Sequence, residues 1–134
     1  MASAQSSCSP IVKNIDLGVN VSITGLALDP QGIANPCGII AATIFNDSFV
    51  MQLGGQNISI ADTGIAWPSD LKRFVIPNAT SRNSMWYDIT QERFMNWVRI
   101  SSMPDFRKLW GRIDRSLPIG NYSIQITNRK YFLK

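Results

Sequence analysis

The stretch NPCGIIAATIFNDSF, residues 35–49, places one of the chain's two cysteines in a Pro-Cys-Gly corner, directly before an apolar run that ends on an Asn-Asp-Ser glycosylation acceptor. A catalytic thiol, a metal ligand and a structural disulfide each call for different neighbours around Cys37. The run IIAATIF (39–45) fits either a buried strand or about one and a half helical turns, and hydrophobic periodicity does not separate the two. The segments on either side decide which reading suits the chain.

Upstream, VNVSI alternates, with Val19, Val21 and Ile23 on one side and Asn20 and Ser22 on the other, the pattern of a half-buried strand. Downstream, FVMQL, NISIAD, IAW and RFVIP are short apolar or alternating pieces punctuated by Gly, Asn, Asp and Pro. LGGQN (53–57) reads as the turn between two of them. ITQERFMNWVRI (89–100) changes period, with Phe94, Trp97 and Val98 at helical spacing and Thr90 placed to cap. DFRKLWGRI (105–113) fits a helical turn or a strand, and NYSIQIT alternates Tyr122, Ile124 and Ile126 with Ser123, Gln125 and Thr127 as a closing strand. Such spacing predicts a mainly β fold, an antiparallel β-sandwich-like domain with one or two short helices. Phe45, Ile40, Ile65, Val98, Leu109 and Ile124 are expected in its core.

At 134 residues the chain is expected to form one domain, 1–134, burying roughly two thirds of its unfolded surface. Apolar residues make up 45% and charged residues 16%, which disfavours disorder. The net charge of +4 is modest, and its cations are interleaved with acids, unlike a nucleic-acid-binding arm. No stretch is long and apolar enough to cross a bilayer, and MASAQSSCSP lacks the basic start and apolar region of a signal peptide.

Composition also removes chemistry. Histidine is absent, which excludes Ser-His and Cys-His nucleophile pairs and His-ligated zinc. Nine acids are scattered singly, Glu92 being the only glutamate, and there is no Walker loop, dinucleotide fingerprint or calcium loop. Neither a catalytic residue, a metal site nor a cofactor is expected. A small hydrolase built on an aspartate pair is the distant enzymatic alternative.

The strongest compositional signal is five N-x-S/T sequons, at Asn20, Asn46, Asn57, Asn78 and Asn121, where ten Asn and 20 Ser plus Thr in 134 residues would give one or two by chance. They point to glycans on a surface within a secretory compartment. Two cysteines in an oxidising compartment pair more often than not, so a Cys8–Cys37 disulfide is expected, with a buried free thiol or a reactive nucleophile as the alternatives. Closing that loop would stabilise the fold by roughly 3.5 kcal/mol in the chain-entropy description.

Three stretches in order, NPCGIIAATIFNDSF, GIAWPSDLKRF (64–74) and ERFMNWVRISSMPDFRKLWGRIDRSLPIGNYSIQI (92–126), resemble the lumenal domain of the cell-division-control-protein-fifty family, also called the ligand-effect-modulator family. The residues that carry the resemblance are Pro36, Cys37, Gly38, Phe45, Asn46 and Asp47, then Gly64, Ile65, Ala66 and Trp67, and then Phe94, Trp97, Arg99, Pro104, Phe106, Arg107, Lys108, Leu109, Arg112, Ile113, Leu117, Pro118, Gly120 and Tyr122. The chain departs from the pattern at Trp67-Pro68-Ser69-Asp70, where a second tryptophan is usual, and in its two cysteines, where four are usual.

The resemblance implies a non-catalytic β-subunit of a type IV P-type ATPase, a phospholipid flippase. Such a subunit binds the catalytic chain as a heterodimer, lets it leave the endoplasmic reticulum and supports its transport cycle. It implies residence in membranes of the endoplasmic reticulum, Golgi or cell surface. This domain would stand on the lumenal side, between two membrane helices that lie outside these 134 residues, as for a piece excised from a longer protein. Trp97 and Trp110 are expected to fill the core. Trp86 and Tyr87, beside polar residues, are candidates for an exposed partner contact. Arg99, Arg107 and Arg112 are candidates to meet acidic loops of the partner or lipid headgroups, or else to act as internal clamps. A secreted glycosylated binding module unrelated to flippases is the alternative reading.

Overall fold

The computed structural model describes residues 8–128. In chain order its elements are helix α1 (Asn14–Leu17), helix α2 (Ile39–Ala42), strands β1 (Ser48–Leu53) and β2 (Gln56–Ile58), helix α3 (Pro68–Arg73), a 3₁₀ turn (Thr80–Ser84), helix α4 (Glu92–Val98) and strand β3 (Tyr122–Thr127). The strands form one antiparallel sheet in the order β2-β1-β3. No helix among the described residues is long and apolar enough to cross a membrane.

The sheet is anchored by the Gly-Gly turn anticipated in LGGQN. Gly54 and Gly55 have φ of 56° and 83°, the left-handed pair that a two-residue hairpin requires, and they set Leu53 opposite Gln56. On the other side of β1, Phe49 pairs with Ile126, Met51 with Ile124 and Leu53 with Tyr122, so one sheet face is apolar. The opposite face carries Ser48, Val50, Gln52, Ser123, Gln125 and Thr127, polar but for Val50.

The expectation of a sandwich is met only in its antiparallel pairing. No second sheet faces the first among the described residues, and the helical elements number four plus a 3₁₀ turn where one or two were expected. Two apolar segments account for much of this difference. IIAATIF folds into the single turn of α2, which buries Ala41 and Ala42 and leaves Ile39 and Ile40 outside. VNVSI forms a tight loop in place of a strand. Ser22 is buried there, its amide donating to the Leu26 carbonyl and its own carbonyl accepting from the Gly25 amide. Its hydroxyl accepts from the Leu26 amide, and Val21 is exposed. A polar side chain that can satisfy a turn from within outweighs a five-residue alternation. Thr90 does not cap α4; its hydroxyl bonds Asp88, and Gln91 takes the cap position.

The core is correspondingly built from different residues. Ile65 is buried as expected and Val98 half-buried, but Ile40, Phe45, Leu109 and Ile124 are exposed, and Phe94, Met95, Met85, Ile44 and Ile58 take the interior. Leu109 docks its extended segment on α4 through its backbone carbonyl, and the apolar sheet face is covered at Ile58 on β2 but open at Ile124 on β3.

The Pro-Cys-Gly corner is a structural joint. Cys37 is bonded to Cys8, the Gly38 amide donates to the Ile11 carbonyl at 2.8 Å, and the Ala34 amide donates to the Val12 carbonyl at 2.8 Å. Trp86 closes it from the far side, its backbone amide donating to Asn35 and its indole N–H to the Pro36 carbonyl at 2.6 Å. Few buried apolar residues hold this N-terminal segment, so the cross-link carries much of its order. Replacing Cys37 by Ser is expected to lower stability by about 2–5 kcal/mol in denaturant titrations, and reductant should have a comparable effect on the parent chain but none on the variant.

Candidate interaction surface

Helix α4 is a single amphipathic piece, only seven residues long, whose polar side chains reach three different segments of the chain. Phe94 and Met95 fill the core. The carboxylate of Glu92, at the first helical position, accepts the backbone N–H groups of Gly64 (2.9 Å), Ile65 (2.6 Å) and Ala66 (2.7 Å). Asn96, one turn on, donates through its amide nitrogen to the carbonyls of Ile65 (3.2 Å) and Leu109 (2.9 Å). Arg93 donates to the Trp110 carbonyl at 2.9 Å and lays its guanidinium 3.7 Å from the Trp110 ring centre. The Trp97 indole donates to the Ile40 carbonyl at 3.2 Å. Thus the GIAW loop, the segment 109–110 and the turn of α2 all take their positions from one short helix.

A second connection fixes the strand-like segment that follows residue 108. Ala61 and Arg112 exchange both backbone hydrogen bonds, at 2.8 and 2.9 Å, and this close approach leaves no room at Gly111, where an added Cβ would lie 2.6 Å from an Ile60 methyl.

Outside this frame the chain presents cations and exposed apolar groups together. A cavity of about 460 Å³ opens between the GIAW loop and the segment 106–109, lined by Trp67, Arg99, Ile100, Phe106, Arg107 and Lys108 among others. A neighbouring hollow of about 300 Å³ is lined by Phe45, Phe49, Trp97, Trp110 and Lys108. Trp67 is 60% and Ile100 89% exposed. Lys108 stands between the two hollows, its ammonium donating to the Trp97 and Arg99 carbonyls and lying 5.2 and 5.6 Å from the Trp97 and Phe106 ring centres. Burial lowers its pKa, because the charged form loses water there. Exposed aromatic and apolar side chains interleaved with fixed cations suit recognition of another molecule. Among the described residues, no cluster of three or more His, Cys, Asp or Glu is arranged to hold a metal.

Of the residues singled out by sequence, Arg99 and Arg107 meet at the larger cavity. Arg99 pairs with the buried Asp70 at 2.6 Å and lies 5.0 Å from the Trp67 ring centre, while Arg107 is exposed at the rim. Arg112 is an exposed intrachain clamp, donating to the Thr63 carbonyl at 3.1 Å and pairing with Asp114 at 3.2 Å. Trp86 and Tyr87 are half-buried and line neither hollow; Trp86 braces the cysteine corner, and Tyr87 packs on Phe94. Asn20, Asn57, Asn78 and Asn121 are exposed and Asn46 is half-buried. Sequence reasoning passed over Glu92 and Asn96. The signal was there in one form: a lone glutamate at the start of a periodic segment has little reason to be solvated decoration in a chain that otherwise uses aspartate.

Burial alone would raise the Glu92 pKa. The three backbone donors on Ala66, Gly64 and Ile65, helped by the charge of Arg112, overcome it and hold the carboxyl below its ordinary value near 4.5. A depressed folded-state pKa means that the clamp's contribution is present above the unfolded value and is lost as pH falls through the folded one. Acid titration of stability should therefore show a loss beginning as pH drops below about 4.5 that is reduced in Glu92→Gln. That variant should also lose about 2 kcal/mol at neutral pH, since its amide oxygen can accept from Ile65 and Ala66 only by turning its NH2 group toward the Gly64 donor, and the charge on the acceptor is gone.

The model of the LEM3 (ligand-effect modulator 3) family / CDC50 family matches residues 1–133. Among curated proteins, the chain is 30% identical over 99 residues to ALA-interacting subunit 3 of Arabidopsis thaliana, covering 64% of this chain and 28% of that protein. It is 28% identical over 144 residues to the phospholipid-transporting ATPase accessory subunit LEM3 of Saccharomyces cerevisiae, covering 89% of this chain and 31% of that protein. Against the phospholipid-transporting ATPase accessory subunit CDC50 of Chaetomium thermophilum it is 31% identical over 130 residues, covering 73% of this chain and 32% of that protein. The chain thus spans about a third of the length of these relatives. With a family match running over nearly all its residues, this chain belongs to the LEM3/CDC50 family.

Proposed function

We propose that this chain is the extracytoplasmic domain of a non-catalytic accessory subunit of a phospholipid-transporting P-type ATPase, and that its partner is the catalytic chain of that ATPase. The carrying observation is the family match over residues 1–133, with relatives whose names assign them as accessory subunits of such transporters. The local chemistry supports the same reading. The only glutamate is committed to three backbone amides, the chain has no histidine, and cations and exposed aromatic groups meet at the cavity. ATP and the phosphorylated aspartate belong to the partner in this reading.

The partner contact lies at the cavity between Trp67, Arg99, Ile100, Phe106 and Arg107, where exposed apolar groups and a rim cation coincide. Trp86 and Arg112 are structural in this reading, Trp86 bracing the cysteine corner and Arg112 the Thr63 carbonyl, and Tyr87 packs on Phe94 of α4. Glycans are carried on Asn20, Asn57, Asn78 and Asn121, with Asn46 left bare by its partial burial. The apolar sheet face is where a second layer, the sandwich expected from sequence, would pack in the longer protein. That protein resides in membranes of the endoplasmic reticulum, Golgi or cell surface with this domain on the lumenal side.

Affinity purification of the full-length protein from native membranes in mild detergent, with mass spectrometry of what accompanies it, tests the reading. A near-stoichiometric P-type ATPase chain is expected, and its absence with the bait intact and glycosylated would overturn the proposal. Arg107→Glu should reduce the recovered partner at least severalfold, about the effect of reversing one rim charge, while the amount of bait in the membrane and its glycan mass stay unchanged.

A further inference from the structure

Arg99 lies between a buried carboxylate and an exposed indole. Its backbone is fixed at the end of α4, where its amide donates to the Met95 carbonyl at 3.1 Å and its own carbonyl accepts from the Lys108 ammonium at 3.0 Å. From that anchor the guanidinium reaches Asp70 in the first turn of α3, a residue only 8% exposed, and donates to its Oδ2 at 2.6 Å. A carboxylate withdrawn so far from water needs a partner of opposite charge, and Arg99 is that partner. The same guanidinium stands 5.0 Å from the Trp67 ring centre. Trp67 is the N-cap of α3, and its carbonyl accepts from the Asp70 and Leu71 amides at 2.9 and 3.2 Å, so its backbone is fixed while its side chain stands exposed at the larger cavity.

We propose that Arg99 is a positioning residue of the partner contact: neutralised by Asp70, it holds the Trp67 ring in place for the ATPase chain and does not itself receive an acidic group of that chain. This rests on the function proposed above. The cations of the cavity support it. Arg99 is paired with Asp70, and Lys108 is turned to two backbone carbonyls. That leaves Arg107 as the cavity's cation with neither commitment among the described residues. A guanidinium already bonded to one carboxylate attracts a second weakly, because the pair has no net charge at a distance. What it keeps is its planar face, and a contact with an indole uses that face while the N–H edge serves Asp70. Tryptophan is among the side chains that most often anchor an interface, and one held in place beforehand loses less rotamer freedom on binding. The two roles of Arg99 predict opposite effects of Asp70→Asn. If Arg99 met an acidic loop directly, removing the Asp70 charge would free its own and prolong the complex. If Arg99 serves Trp67, the same change loosens the ring and shortens it.

The test captures the full-length, glycosylated protein from native membranes in mild detergent and follows the loss of the ATPase chain from the immobilised bait with time. Asp70→Asn should shorten the lifetime of the complex roughly two- to fivefold, the worth of one exposed cation–aromatic contact, at an unchanged amount of bait and glycan mass. A lifetime unchanged or prolonged overturns the proposal. Should that variant fail to reach the membrane, a double-mutant cycle decides. Arg99→Lys keeps a cation for Asp70, but a compact ammonium has no separate edge and face to serve carboxylate and ring together, so it should shorten the lifetime in the parent. Trp67→Leu keeps an apolar contact and removes the ring, and in that background Arg99→Lys should add nothing further. Equal shortening in both backgrounds would mean that the ion pair only joins α3 to α4, and no shortening in the parent that Arg99 does not act on the ring; either overturns the proposal. A parent that retains no ATPase chain at all overturns the proposed function itself, and this proposal with it.

Discussion

One carboxylate, that of Glu92, receives three consecutive backbone amides, and the arrangement of the described chain follows from that contact. Three successive N–H groups converging on one point fix the path of residues 64–66, and a charged acceptor binds each more strongly than a neutral one would. The loop so fixed presents the Ile65 carbonyl to Asn96, whose amide also holds Leu109. Arg93 and Trp97, the neighbours of these two residues in sequence, secure Trp110 and the turn of α2. A seven-residue helix is too short to be stable by itself. It persists because it is tied at four points, and the segments it ties have little regular structure of their own to replace it.

This explains what the sequence discloses and what it hides. The Gly-Gly turn, β1, β2, α4 and the closing strand β3 were legible because each has a local cause: left-handed φ at a glycine pair, strict alternation, or helical spacing of Phe94, Trp97 and Val98. The disulfide was legible from compartment and count. The conversion of IIAATIF into a single turn, and of VNVSI into a loop around buried Ser22, was not, since both depend on partners remote in sequence. The clamp was hidden for the same reason: Glu92 and Gly64 are 28 residues apart, and nothing in either segment announces the other.

The candidate surface was half legible. Arg99 and Arg107 line the larger cavity, whereas the Trp86 indole serves the cysteine corner and the exposed Arg112 side chain binds the Thr63 carbonyl and Asp114. Aromatic residues in polar surroundings invite a reading as contacts, yet an indole N–H can equally serve a buried carbonyl, and Trp86 does. The exposed groups that define the groove, Trp67, Ile100 and Phe106, sit on segments whose backbones are held by Glu92, Asn96 and Lys108. Frame and cavity therefore share segments, and Asn96 and Lys108 belong to both.

Native-state hydrogen exchange at the amides of Gly64, Ile65 and Ala66, compared between the parent chain and Glu92→Gln, tests this account most directly. If the carboxylate organises the described structure, these three amides are protected in the parent and lose protection together in the variant. Those of Ala61 and Arg112 should fall with them, while the β1–β3 ladder changes little. Protection at 64–66 that survives in the variant would show that the loop holds its own path, and the account would be wrong.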